Sequence, residues 1–191
     1  MIMREFFKKY LEINDPKVLD ELERHSEIWK VKKREIVMTE GEIITDIPFL
    51  ISGVLKACYY EKSGVEKVYC FAYQAGDVAA SIKSIHGMVK ALCTVEAVQD
   101  SELCYISLAF LQKLIRNNPQ IGYIYEQLLS VSVEQMMEHE KQITICSPAE
   151  RYEWFRKKYP MLEEKVSKKD IASYLNMSPE HFSRIKKAIE K

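Results

Sequence analysis

Between residues 28 and 106 the chain is broken into short runs of branched and aromatic residues, each closed by turn-forming residues. The runs are 36–38, 49–51, 54–60, 68–73, 92–98 and 103–106. Glu40-Gly41-Glu42, Ser52-Gly53, Lys62-Ser63-Gly64, Ala75-Gly76-Asp77 and Gln99-Asp100 stand between them. Many short strands at this spacing predict an antiparallel sandwich or barrel. Lys62-Ser63-Gly64, between two apolar runs, reads as a hairpin loop. Residues 81–90, with Gly87 inside, follow no period and read as a loop or a short helix.

The flanks follow a different period. In 3–25, Phe6, Phe7, Tyr10 and Leu11 recur at helical spacing, and Asn14-Asp15-Pro16 opens a second short helix. Residues 108–116 form another, stopped near Asn117-Asn118-Pro119. From Pro119 to Cys146 no further proline occurs and Gly122 is the sole glycine. That permits a helix of about 26 residues, roughly 39 Å long. Its apolar stripe, including Tyr125, Leu128, Leu129, Met136 and Ile143, is wider than one domain face requires. Such a helix is either buried or shared with a second subunit.

The tail announces its helix starts. Ser147-Pro148-Ala149-Glu150 is a capping-box pattern with proline at the first helical position. Tyr152, Phe155 and Tyr159 form one stripe, ended by Pro160. Ser167-Lys168-Lys169-Asp170 starts a further helix with Ile171, Ala172 and Leu175 inward. Asn176-Met177 makes a turn, and Ser178-Pro179 starts the last helix with Phe182, Ile185, Ala188 and Ile189 inward. Two helices joined by a short turn within 25 residues carry the helix-turn-helix signature. Glu180, His181, Ser183, Arg184 and Lys187 point elsewhere. Arginine can pair bidentately with guanine, and glutamate can accept from the cytosine amino group. Glu180 and Arg184 share a face four residues apart, where the plain alternative is a surface ion pair. Ser167, Lys168, Lys169 and Lys187 are candidates for phosphate contact.

The chain has 191 residues with 28 Lys/Arg and 28 Asp/Glu, and the zero net charge hides an asymmetry. Residues 1–147 carry 17 basic and 21 acidic side chains, net −4; residues 148–191 carry 11 and 7, net +4. A basic tail on an acidic body suggests a polyanionic partner. With 47% apolar residues the composition excludes a wholly disordered chain. No apolar run is long enough to span a bilayer, and the first ten residues lack the apolar stretch of a secretory signal, so no membrane contact and a cytoplasmic protein are expected. The five cysteines are scattered with no CxxC pair, which points to reduced thiols.

The tail "SKKDIASYLNMSPEHFSRI", with the glycine-punctuated strands and the long helix, resembles the cyclic-AMP receptor protein and fumarate-nitrate regulator (Crp/Fnr) family of bacterial transcription regulators. The resemblance covers nearly the whole chain. It implies an α+β protein: a double-stranded β-helix (jelly-roll) sensor domain with N-terminal helices at 1–118, a dimerising helix at 119–146 and a helix-turn-helix domain at 147–191. The partners implied are a two-fold symmetric site on double-stranded DNA, a second copy of the chain, a small-molecule effector and RNA polymerase. Glu180 and Arg184 fall where family members place base-reading residues. Pro179, beside Ser178, falls where many carry a further arginine. The effector pocket would involve Gly76, Asp77, Ala80, Ser81, Lys90, Ala91, Leu92, Cys93, Met136 and Met137.

Three departures shape the expectation. Cyclic-nucleotide binders carry a glutamate for the ribose and an arginine for the cyclic phosphate. Here Ala80-Ser81 and Ala91-Leu92-Cys93 stand at those sites, with Lys90 one place early. Met136 and Met137 replace the polar residues that meet the base. The chain ends at Lys191, so no full wing is expected after the recognition helix. The reading is therefore a regulator that does not bind cyclic AMP, senses an unidentified signal and needs no cofactor or metal. A haem ligand would have to be His86 or His139, and a lone histidine is more often structural. The alternatives are a cyclic-nucleotide-responsive regulator, a cupin-like enzyme or a protein-interaction module. The four histidines lie in four different elements and no HxH occurs, which weighs against cupin chemistry.

Overall fold

The structure is a computed structural model that describes residues 3–79 and 89–189. The chain divides into two compact units: Met1–Ala57 with Phe71–Leu129, here the sheet unit, and Cys58–Cys70 with Ser130–Lys191, the C-terminal unit.

The sheet unit opens with α1 (Met3–Tyr10) and α2 (Pro16–Arg24). Phe6 and Phe7 are fully buried. The Asp15 carboxylate accepts from the N–H groups of Lys17 and Val18, which caps α2 at the proline the sequence marks. Strands follow at β1 (Ser26–Val31), β2 (Ile36–Met38), β3 (Ile43–Ile44), β4 (Asp46–Ser52), β5 (Leu55–Tyr60), β6 (Glu66–Ala72), β7 (Val89–Lys90), β8 (Thr94–Ala97) and β9 (Ser101–Ser107). They form an antiparallel β-roll of three sheets, ordered β1-β9-β4, β2-β8-β5-β6 and β3-β7. Phe49 pairs with Cys104 and Leu50 with Leu103, so the buried positions of β4 and β9 coincide. Gly53 has φ +110°, and a Cβ there would lie 2.1 Å from Ser101 Oγ. That hydroxyl accepts from Val54 N–H and donates to Gln99 C=O, so only glycine allows the approach.

One expectation needs correction. Val89–Lys90, read as part of a loop or short helix, is a strand paired with Ile43–Ile44. The pairing is fixed from outside the segment: Gly41 N–H donates to Ala91 C=O and Ala91 N–H to Glu42 C=O. Two residues carry no detectable period, so this partner was invisible in sequence. The rest of that segment, 80–88, lies outside the described residues, and Ala80, Ser81 and His86 with it.

Helices α3 (Leu108–Asn117) and α4 (Pro119–Ile145) follow, the latter 27 residues long. Then come α5 (Pro148–Lys158), α6 (Leu162–Lys165), α7 (Lys168–Tyr174) and α8 (Pro179–Ile189). The one-turn helix α6 was not anticipated, because four residues show no period. The capping box at Ser147 and Glu150 forms with both reciprocal bonds. Tyr152, Phe155, Leu162, Ala172, Leu175 and Phe182 are almost wholly buried. Ala188, expected inward, is exposed. Six residues beyond Phe182 at roughly 100° each put it about 240° round the helix, off the buried face. Within this unit the hairpin segment meets α7: Val68 N–H donates to Ser173 Oγ at 2.9 Å, and Ser173 Oγ donates to Glu66 C=O at 3.3 Å.

Candidate nucleic-acid interface and sensor region

The helix pair α7–α8 is built from its caps. Ser167 Oγ accepts from Asp170 N–H at 3.1 Å and donates to the Asp170 carboxylate at 2.6 Å. Asn176 adopts φ +53°, the left-handed conformation expected of it, and Met177 N–H closes the turn on Ala172 C=O. Ser178 Oγ accepts from His181 N–H and starts α8. Phe182 then packs edge-on against Tyr152 at 5.1 Å.

With the inward side fixed, Ser178, Pro179, Glu180, Arg184 and Lys187 are exposed, and His181 and Ser183 are half-buried. Ser167, Lys168 and Lys169 at the start of α7 are exposed as well. Hydrogen bonds from its own backbone N–H and from Ser178, with the Arg184 charge, hold the Glu180 carboxyl below its ordinary range. Four cations of this unit are paired and a larger number, Lys62, Lys141, Lys157 and Lys165 among them, are exposed without a salt bridge among the described residues. Lys158 pairs with Glu138, and Lys186 and Arg156 pair with Glu163. Lys168, Lys169, Arg184 and Lys187 form no salt bridge among the described residues.

His139, named in sequence as a haem-ligand candidate with a structural role as the plain alternative, and Arg151, which sequence did not single out, hold the C-terminal end of α7. His139 Nε2–H donates to Tyr174 C=O at 2.8 Å, and Arg151 donates to Leu175 C=O at 3.1 Å. The His139 ring stacks on Tyr174 at 4.2 Å. Burial pulls its pKa down, so the imidazole is neutral. His139 is thus a structural donor, and no periodic signal could have marked it.

On α4 the expected seam residues are only partly covered. Tyr125, Leu128, Leu129 and Ile143 are half-buried, and residues 130–137 are exposed throughout, with Met136 at 50% and Met137 at 68%.

The expected effector residues scatter. Gly76 and Asp77 make a tight turn: the Asp77 carboxylate accepts from the N–H groups of Tyr73 and Gln74, both at 2.8 Å. Burial raises the Asp77 pKa, and those two backbone bonds counter it. Ala91 and Cys93 are buried, while Lys90 and Leu92 reach the surface. Lys56 was missed. It is 6% exposed on β5, with Nζ 3.7 Å from Glu96 on the adjacent β8, and among the described residues it is the one buried charged side chain.

Two hollows are lined by described residues of the sheet unit. One is a groove of about 560 Å³ whose wall includes Trp29, Tyr105, Glu42 and Asp46. The other is an apolar pocket of about 70 Å³ beneath α3, about as open to solvent as the groove. None of Gly76, Asp77, Lys90, Ala91, Leu92 and Cys93 lines either. Among the described residues no three His, Cys, Asp or Glu side chains are placed to hold a metal ion, and no helix is long and apolar enough to cross a membrane.

Residues 28–118 match the family model of the cyclic nucleotide-binding domain. No curated protein sequence matches the chain. Solved structures do. FixK2 from Bradyrhizobium japonicum is 18% identical with TM-score 0.76, over 86% of this chain and 84% of that one. CLP of Xanthomonas campestris, described as a c-di-GMP-responsive global regulator, is 18% identical with TM-score 0.75, over 92% of each chain. A protein of the Crp/Fnr family from Eubacterium rectale is 17% identical with TM-score 0.77, over 97% of this chain and 88% of that one. At 97% coverage the likeness to the Eubacterium rectale protein reaches the sheet unit, the long helix and the C-terminal helices. Residues 28–118 are thus similar to a cyclic nucleotide-binding domain, and the chain shares the fold of the Crp/Fnr regulators.

Proposed function

We propose that the chain is a sequence-specific DNA-binding transcription regulator that acts as a homodimer, with α8 as its recognition helix and the sheet unit as sensor of a small molecule. The observation that carries this reading is a cluster of exposed cations on the capped helix pair α7–α8. Lys168, Lys169, Arg184 and Lys187 project from it without a salt bridge among the described residues. Phosphate contacts need such free cations, and base readout needs polar side chains near the start of the second helix. Dimerisation through α4 is supported by the exposed apolar side chains Val131, Val133, Met136 and Met137. Two recognition helices related by a two-fold axis read half-sites about one helical turn, roughly 34 Å, apart.

The test is a fluorescence titration on the DNA upstream of the chain's own gene, with matched and mutated sites. Arg184→Ala costs about 1–3 kcal/mol and relaxes preference at one base pair in each half-site. Lys168→Ala weakens all sequences alike and reduces the salt slope by about one. Equal loss on all sequences from Arg184→Ala would make Arg184 a phosphate contact. No sequence preference in the wild type, with cell extract supplying effectors, would sink the regulator reading.

The sensor does not take cyclic AMP tightly in this reading. Ala91 offers no cation, Lys90 faces solvent, and the buried Lys56 already has Glu96 beside it. A cyclic phosphate buried without a cation is costly. Calorimetry showing micromolar or tighter binding of cyclic AMP would overturn this.

A further inference from the structure

The groove of about 560 Å³ takes its wall from strands of all three sheets: β1, β9 and β4, then β2, then β3. Trp29 and Tyr105 line it with ring centroids 4.9 Å apart, and Trp29 remains 53% exposed. Three carboxylates share the lining: Glu27, Glu42 and Asp46. Each uses one oxygen close by. Glu27 accepts from the Trp29 indole N–H at 3.1 Å, Glu42 from Thr39 N–H at 3.1 Å and Asp46 from the Thr45 hydroxyl at 2.7 Å. The second oxygen of each has no hydrogen bond, and none of the three forms a salt bridge, among the described residues. Arg24 is the one lysine or arginine of the lining, and its Nε–H donates to Asp20 C=O. His25 stacks on Phe110 at 4.2 Å. Burial first, then the Glu35 and Asp46 charges, push the Tyr105 hydroxyl up to about 12, so it stays neutral.

Carboxylates on an open surface are simply hydrated. These share a concavity with two aromatic rings, and a cleft lined by one sign of charge concentrates counter-ions. A cation there gains from two sources. Tryptophan offers the strongest cation–π attraction of the aromatic side chains, and ionised carboxylates accept without donating. The exposed indole also offers a flat apolar platform to a second ring. An anion meets repulsion instead, and a wholly apolar ligand strips water from the carboxylates without replacing it. We infer that this groove binds a small organic cation with an aromatic ring, an arylalkylammonium. The ammonium is served by the free oxygens of Glu27, Glu42 and Asp46, and the ring by Trp29 and Tyr105. None of Gly76, Asp77 and Lys90–Cys93, the expected effector residues, lines the groove. The inference deepens the sensor reading by naming a ligand class, and its test contains no DNA, so it stands or falls apart from DNA binding.

The probe is 2-phenylethylammonium, with 2-phenylethanol as its neutral counterpart, titrated into the full chain. The readout is the indole N–H resonance of Trp29, with Trp154, outside the groove, as internal control. The expected result is a saturable shift at Trp29 while Trp154 stays still. The alcohol, which keeps the ring and loses the charge, binds roughly tenfold more weakly. Glu42→Gln with Asp46→Asn, both at exposed positions, weakens the ammonium about fivefold and leaves the alcohol unchanged. Trp29→Leu, read by calorimetry, weakens the ammonium by about the same factor. A shift that does not saturate or that Trp154 shares, equal binding of amine and alcohol, or an affinity unmoved by the double variant overturns the inference.

Discussion

The sheet unit and the C-terminal unit fill their cores with different side chains. In the sheet unit the buried positions are mostly Leu, Ile, Val and Ala, drawn from many strands, with Phe6, Phe7 and Phe49 as the aromatics. In the C-terminal unit Tyr152, Phe155, Tyr159, Tyr174 and Phe182 do most of the filling. A small helical unit has few inward positions, so each must bury more area, and aromatic rings do so at low rotamer cost. Their polar ends then need partners. Tyr152 donates to Glu163, Tyr159 and Tyr174 share a hydrogen bond at 3.2 Å, and Trp154 donates to Glu138 at 2.8 Å. The aliphatic core is redundant and non-directional. The aromatic one is concentrated and directional, and it holds α8 on α5 through Phe182 against Tyr152.

This contrast is sharpest in what single substitutions do. Phe155→Ala removes a fully buried ring from the centre of the cluster and costs about 3–5 kcal/mol. Calorimetry should show the C-terminal transition lost while that of the sheet unit persists. Leu103→Ala, equally buried in the sheet unit, costs about 2–5 kcal/mol, with many neighbours able to relax into the space. Should it abolish its own transition while Phe155→Ala spares the other, the contrast fails. Ser147→Ala removes one half of the α5 capping box and costs about 1 kcal/mol, measured as a lower urea midpoint of the C-terminal transition.

The smallest effect is one of pH. Burial depresses the pKa of His139, while the hydrogen bond to Tyr174 C=O and the Glu140 charge raise it and the Lys158 charge lowers it. The unfolded imidazole titrates near pH 6.5, so it takes up a proton before the folded one does. The stability from neutral His139 is full above that pH and is lost as pH falls through it toward the folded pKa. The C-terminal melting temperature should decline from pH 7.5 to 5.5, and His139→Gln should flatten the decline. An unchanged slope in that variant would remove His139 as its source.

Sequence made some of this readable and hid the rest for definable reasons. The caps at Ser147, Ser167 and Ser178 and the left-handed Asn176 were legible because capping is local: donor and acceptor lie within three residues. Strands β2, β4, β5, β6, β8 and β9 were legible because turn residues bracket their apolar runs, while β1, β3 and β7 lay outside the runs that sequence marked. Lys56 beside Glu96, His139 on Tyr174 and Arg151 on Leu175 were not, because those partners lie 40, 35 and 24 residues apart. The exposure of residues 130–137 was hidden for a related cause. Their apolar content announces burial, and burial depends on a partner that sequence periodicity does not name.

The Ser173 hydroxyl has a consequence for colloidal behaviour. Strand β6 ends its sheet, and an end strand offers unpaired N–H and C=O groups to any passing chain. By accepting from Val68 and donating to Glu66, one side chain occupies one donor and one acceptor of that edge. A helix here does a strand's work. Partial unfolding of α7 would therefore do more than loosen its packing on α8: it would open a sticky margin on the sheet, and the first sign of damage would be aggregation.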